Sequence, residues 1–159
     1  FINSGFNLRP TDIQAAIAHN QFKRLDKLKK MRDTNRNLII NKLQNSKSWK
    51  NQFNFIIPNK DIDPSWMGLP ILLNEKFKNK KSIFIGILDQ NGVETRPIIS
   101  GSFVNQPAVK LFALNKNNEK FQVAQKVQDL GFLIGLHTNK ISKKKLQLIH
   151  DTFFKIDSL

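Results

Sequence analysis

"GFNLRPTDIQAAIAHNQFKRLDKL", residues 5–28, decides how the rest of the chain is read. Pro10 favours an extended Arg9, and Thr11 and Asp12 are good capping residues, so a helix is expected to open there. Ile13, Ala16 and Ile17 line one face of it, and Phe22, Leu25, Leu28, Leu38, Ile39 and Leu43 continue that face at three-to-four spacing. After Pro10, no glycine or proline interrupts before Pro58. The pattern predicts one long amphipathic helix, with its candidate bend near Asp33 to Asn35, ending before "NSKSWKNQ". Ahead of it lies a polar segment with Gly5, Asn7 and Arg9, almost at the first residue. The chain is therefore expected to begin in mid-fold.

Downstream the pattern changes. "FNFII" and "SWMGLPILL" read as strands separated by the turn-rich "PNKDIDP". "KFKNKKSIFIGILDQNG" reads as a helix that Gly92 stops. "VETRPIIS" is a short strand, and "QPAVKLFA" a short helix with Pro107 in its first turn. "NEKFQVAQKVQDLG" is another helix, "FLIGLH" a buried strand, and "SKKKLQLIHDTFFKI" a closing helix capped by Ser142. Strands alternate with helices, which predicts an α/β fold with a small sheet packed by helices and preceded by the long helix.

The 159 residues suit one domain with a sizeable core, and 40% hydrophobic with 24% charged residues is ordinary for a globular protein. With no cysteine, disulfides and thiolate metal sites are excluded. No apolar run reaches the roughly 18 residues of a membrane span, and no signal-peptide layout is present, which points to the cytoplasm. The formal charge of +14 raises nucleic acid as a partner. Against that, lysine outnumbers arginine, and "KRLDKLKK", "KFKNKK" and "SKKKLQ" each flank an apolar stripe, as solvated helix faces do. Nucleic acid is therefore not the expected partner.

By spacing alone the catalytic inventory is thin. Three histidines are too dispersed for a metal site, and His19 and His150 fall in helices. There is no glycine-rich phosphate loop and no nucleophile elbow. The lysines lie in polar helical stretches. What remains are polar residues beside glycines and prolines at element ends, where binding groups are often placed: Gly5-Asn7-Arg9, Glu94-Thr95-Arg96-Pro97, Ser100-Gly101 and His137.

Together these blocks resemble the DegT/StrS family of nucleotide-sugar aminotransferases. "GFNLRPTDIQAAI", "QFKRLDKLKKMR", "W-x-G-L-P" at 66–70, "NGVETRPIISGSF" at 91–103 and "GFLIGLH" at 131–137 follow the family's order and spacing. The resemblance implies the C-terminal part of a fold type I enzyme dependent on pyridoxal 5'-phosphate (PLP). Residues 1–45 would form an active-site segment and connecting helix, and residues 46–159 the small C-terminal α/β domain. The lysine that forms the Schiff base is then expected upstream, no catalytic residue or metal ligand is expected in this chain, and the chain alone is expected to be inactive.

The implied reaction is amino transfer from a glutamate-type donor to a keto-sugar linked to a nucleotide diphosphate, as in lipopolysaccharide biosynthesis, in a homodimer. By resemblance Asn7 reaches the PLP phosphate of the partner's site, and Arg9, Arg96 and His137 face the substrate. Ser102 stands where the family commonly has asparagine. Two alternatives are a PLP-dependent nucleotide-sugar 3-dehydratase of the same family and a basic, non-catalytic binding module.

The stripe Ile13, Ala16 and Ile17 has no sequence-adjacent element to cover it, which marks an interface. Ile17→Asp is expected to weaken the dimer of the intact protein in sedimentation, and unchanged dimerisation and activity would remove the claim.

Overall fold

Phenylalanine supplies the centre of this fold. The chain has 13 phenylalanines and no tyrosine, so its large rings bring apolar area without a hydroxyl to satisfy. In the computed structural model, which describes residues 11–112 and 118–159, four of them meet. Phe53 and Phe153 approach edge-on with ring centroids 5.1 Å apart, Phe84 lies 5.8 Å from Phe53 and 5.9 Å from Phe153, and Phe132 closes the group at 6.0 Å from Phe84. All four are fully buried.

Each ring comes from a different element, so the cluster fixes the architecture. The helices are α1 (Asp12–Phe22), α2 (Leu25–Gln44), α3 (Lys81–Gln90), α4 (Pro107–Leu111), α5 (Gln122–Leu130) and α6 (Lys143–Phe153). The strands are β1 (Phe53–Phe55), β2 (Gly68–Leu73), β3 (Thr95–Arg96) and β4 (Gly131–Gly135). They form one sheet in the order β1-β2-β4-β3, antiparallel throughout. Alternate residues Leu69, Ile71 and Leu73 of β2, with Phe132 and Ile134 of β4, are buried. Ile39 and Leu43 of α2, Phe84 and Leu88 of α3, and Phe153 of α6 join the same core cluster. The expected small sheet packed by helices is what forms.

Local signals placed several boundaries well. Thr11 accepts from the Gln14 amide while the Gln14 side chain accepts from the Thr11 amide, a complete capping box. Ser142 caps α6 through the Lys145 amide. At the end of α3, Gly92 adopts φ +77°, its N–H donates to Asp89 O, and the Val93 N–H donates to Leu88 O. That is the paired-bond glycine cap, and Val93 and Leu88 are both buried beside it.

Other expectations need correction. The long helix is interrupted at Lys23–Arg24, where the Arg24 N–H donates to Gln21 O three residues back. Asp33 to Asn35, the expected bend, lies inside unbroken α2. β1 stops at Phe55 rather than Ile57, and β2 starts at Gly68 rather than Ser65. β3 holds two residues instead of eight, because Pro97 has no N–H for the ladder and the Thr95 N–H is taken by Asp89 Oδ1 at 2.9 Å. Lysine 81 also departs from the expected exposed lysines. Its Nζ donates to Gln128 O at 2.7 Å, and burial pushes its pKa down against the opposing charge of Asp129.

Phe84→Ala, at the middle of the ring cluster, is expected to cost about 3–5 kcal/mol in urea unfolding. A loss under about 1 kcal/mol would mean the cluster does not centre the core.

Candidate functional site

Asparagine is a poor residue for a helix interior, because its amide competes for backbone partners. Asn35 nevertheless sits in mid α2, four residues before Ile39 and eight before Leu43, on the buried side of the helix. Its tertiary bonds explain it. Asn35 Nδ2 donates to the carbonyls of His137 at 2.9 Å and Asn139 at 2.8 Å, and Oδ1 accepts from the Ile141 N–H at 2.9 Å. Only 2% of Asn35 is exposed, so these bonds replace water completely. One side chain thus fastens the segment between β4 and α6 onto α2.

That fastening forms one wall of a cleft of about 810 Å³. Arg32, Asn35 and Ile39 of α2 line it, as do Glu94 and Arg96 at β3, residues 133–141, and Lys145, Leu148 and Ile149 of α6. Two of the residues singled out in the sequence, Arg96 and His137, meet here although 41 positions apart. β3 pairs Arg96 with Leu133 of β4, and β4 runs on into His137. Arg96 is exposed, and its Nε and Nη2 both donate to Glu94 Oε1, at 3.1 and 2.8 Å. An exposed pair of this kind is weak and can open for a ligand. The His137 ring is exposed. Asn7 and Arg9 lie outside the described residues.

The Ser100–Gly101 segment forms a separate, smaller cavity of about 340 Å³ with Lys81, Ile98, Gln106 and Gln128. Gly101 takes φ +60°, and Ile99 takes φ +43°, a costly setting for a β-branched residue. Ser102 is fully buried, and its Oγ has no hydrogen-bond partner. The Gln128 amide oxygen holds the loop, accepting from the Ser102 N–H and from Asn105 Nδ2, both at 3.1 Å.

Ser46, His150 and Asp151 make a chain that imitates a nucleophile, base and acid. Ser46 Oγ lies 2.9 Å from His150 Nε2, and His150 Nδ1 lies 2.8 Å from Asp151 Oδ1. The Ser46 oxygen also accepts from the Ser48 N–H, and the chain pins α6 to the end of α2. This is structural bonding. The His150 contact holds the Asp151 carboxyl below its ordinary value.

The family model for DegT/DnrJ/EryC1/StrS aminotransferases matches residues 2–153. The chain belongs to that family. Among curated relatives it is 27% identical over 145 residues to the GDP-4-keto-6-deoxy-D-mannose 3-dehydratase of Yersinia pseudotuberculosis, covering 91% of this chain and 35% of that enzyme. Of solved structures, the E. coli GDP-4-keto-6-deoxy-D-mannose-3-dehydratase with bound hydrated PLP matches with TM-score 0.77 and 21% identity, over 96% of this chain and 38% of that one. PseC of Helicobacter pylori, an aminotransferase of pseudoaminic acid biosynthesis, matches with TM-score 0.79 and 20% identity, over 99% of this chain and 40% of its own. The chain thus spans little more than a third of these relatives.

Solved relatives of the DegT/DnrJ/EryC1/StrS family carry PLP, and the family is PLP-dependent. Among the described residues the large cleft offers guanidinium, ammonium and amide N–H groups, a donor set that fits phosphate oxygens. It fits the phosphoanion end of such a cofactor or of a nucleotide sugar. No helix among the described residues is long and apolar enough to cross a membrane.

Sequence reasoning missed Asn35, a polar residue on the apolar stripe, and placed only a bend near Asp33 to Asn35. Its position on that stripe was the available signal. Asn35→Ala leaves the carbonyls of His137 and Asn139 and the Ile141 N–H unpaired, at a total cost of about 2–4 kcal/mol. Urea unfolding should show that loss, and hydrogen exchange should show faster exchange at Ile141. Undiminished protection of Ile141 would remove Asn35 as the fastener.

Proposed function

We propose that this chain supplies the active-site segment with the connecting helix (residues 1–45) and the small domain (residues 46–159) of a PLP-dependent enzyme that aminates a nucleotide-linked keto-sugar. The observation that carries the reading is the meeting of Arg96 and His137 on one cleft, within a chain that belongs to a sugar aminotransferase family. PLP, when bound, supplies the electron sink for moving the amino group. This chain's residues bind and orient. Arg96 exchanges the Glu94 carboxylate for an anionic or hydroxyl group of the substrate, and the His137 ring donates to or accepts from the sugar at the cleft's other wall. Asn7 donates its amide N–H to the cofactor phosphate in the partner's site, and Arg9 follows on the same segment toward the substrate.

Membership in the family and the small-domain fold support a homodimer of the complete enzyme, with glutamate as amino donor, working in the cytoplasm on cell-surface sugars. The Salmonella typhimurium relative, named lipopolysaccharide biosynthesis protein RfbH, supports that last point at 29% identity over 103 residues. The reading places the lysine that reacts with the cofactor outside these 159 residues, so the chain alone would not turn over substrate. Lys81, partly buried with a lowered pKa, already spends a donor on Gln128 O.

A second reading, 3-dehydration, is favoured by the Yersinia relative's printed activity. The complete enzyme, given PLP, glutamate and a GDP-linked 4-keto-6-deoxy sugar, separates the two by product mass. Amino transfer replaces the ketone oxygen with an amine, whereas dehydration yields a deoxy sugar that lacks one hydroxyl. Under either reading, Arg96→Gln is expected to raise KM for the nucleotide sugar about tenfold or more, the range of one charge-assisted hydrogen-bond pair. Unchanged KM and kcat would remove Arg96 from the substrate site.

A further inference from the structure

The connection between β1 and β2 has little apolar burial to hold it. Ile57 and Ile62 are exposed, as are Asn59, Lys60, Asp61 and Asp63. α2 reaches it through Lys29 and Arg36. Lys29 pairs with Asp63 in the middle of the connection, but the Asp63 side chain is open to water and such a pair is weak. Arg36 grips both ends. Its Nη2 donates to Ile56 O, just past β1, and its Cζ lies 4.7 Å from the centroid of the Trp66 ring, two residues ahead of β2. The guanidinium sits in a costly place. Burial lowers the Arg36 pKa against the opposing charge of Asp33, and among the described residues its Nε finds no acceptor.

What Arg36 fixes lies one step farther along the chain. Met67 follows Trp66 and lines the large cleft, and its carbonyl accepts from the Leu136 N–H at 3.3 Å. That bond is longer than usual and lies one residue beyond the last β2–β4 pair, Gly68 with Gly135. Two glycines face each other there, so no side chains pack across the pair to hold the strand ends. Leu136 leads directly into His137, whose carbonyl Asn35 holds from α2. Asn35 and Arg36 are neighbours on that helix, about 100° apart around its axis. One reaches the segment after β4, and the other reaches the entry to β2.

The structure assigns to Arg36 the role of a positioning residue for His137: its grip on Ile56 and Trp66 sets Met67, and the Met67 carbonyl sets Leu136 and the histidine beside it. Arg36 is not among the residues that line the cleft, so it acts only through this relay. An arginine suits the task. Its planar head lies on a ring face while its edge donates to a carbonyl, whereas an ammonium offers no such plane. The link from Arg36 to Leu136 stands on these contacts alone, and the step from His137 to the sugar rests on the proposed function.

The test uses the complete enzyme and two readouts. Arg36→Gln and Trp66→Leu should each speed hydrogen exchange of the Leu136 amide severalfold, whereas Trp66→Phe keeps a ring face and should stay near wild type. Arg36→Gln should also raise KM for the nucleotide sugar about threefold to tenfold, while conversion of the cofactor by glutamate keeps its rate. In a double-mutant cycle with His137→Ala the two KM effects should fail to add, because one acts through the other. A loss of general stability would leave them additive. Lys29→Gln frees only the middle of the connection and should change little. Circular dichroism reports folding, and if Arg36→Gln does not fold, Trp66→Leu carries both readouts. Equal acceleration in Lys29→Gln, or additive KM effects, would overturn the inference. Unchanged Leu136 exchange with a raised KM in Arg96→Gln would overturn it and leave the proposed function standing. Faster Leu136 exchange, in an enzyme that turns over no keto-sugar nucleotide, would do the reverse.

Discussion

The Asn35 side chain makes three hydrogen bonds to a segment more than 100 residues away, and the cleft exists in its present form because of them. A backbone segment that leaves a strand must satisfy its N–H and C=O groups somewhere. Here Leu136 still donates its N–H to Met67 O, and residues 137–141 lie beyond the β2–β4 ladder. The amide of Asn35, with donors and acceptor on one planar group, meets all three demands at once. The result couples the position of His137 to α2, a helix that also carries Arg32 into the same cleft.

The ring cluster serves a different purpose. Phe53, Phe84, Phe132 and Phe153 bring together β1, α3, β4 and α6 through rings that carry no hydrogen-bonding group. Burial of apolar area holds these elements without much directional information. Polar contacts then set the fine placement. Gln52, fully buried, donates to the Asp157 carboxylate and to Ser48 O and accepts from the Lys50 N–H, tying the turn after α2 to the last residues. Asn35 and Gln52 thus mark two of the places where this small domain spends polar groups in its interior.

The 26 lysines and arginines include a group paired on the surface and a group gathered at the cleft. Lys29, Lys78 and Lys126 meet Asp63, Asp129 and Glu75 on the surface, and the Lys78 contact holds Asp129 below its ordinary pKa. That pairing contributes above the usual carboxylate range and fades as pH falls through the lowered value. Among the described residues, the cleft cations Arg32, Lys140 and Lys145 have no such partners, whereas Arg96 meets Glu94. At the other end, α1 leaves Ile13 74% and Ile17 60% exposed, with no buried residue in the helix. An apolar stripe on an unsupported helix is consistent with a surface that packs against something outside these residues.

What the sequence determined by itself is what near neighbours dictate. Thr11, Ser142, Gly92 and Pro107 announced helix ends, because capping acts over three or four residues. The ordered blocks from Gly5 to His137 were enough to announce the family, and short apolar runs flanked by turn residues announced β2 and β4. What only the tertiary structure decided depends on partners remote in sequence. Strand direction and register, the shortening of β3, the partial burial of Lys81 and the interruption at Lys23–Arg24 belong to that class. So does the use of Asn35. In the sequence it is a polar residue on an apolar stripe, and a helix bend or a clamp would look the same. The difference is made by carbonyls and an N–H at positions 137, 139 and 141, which packing alone brings within reach.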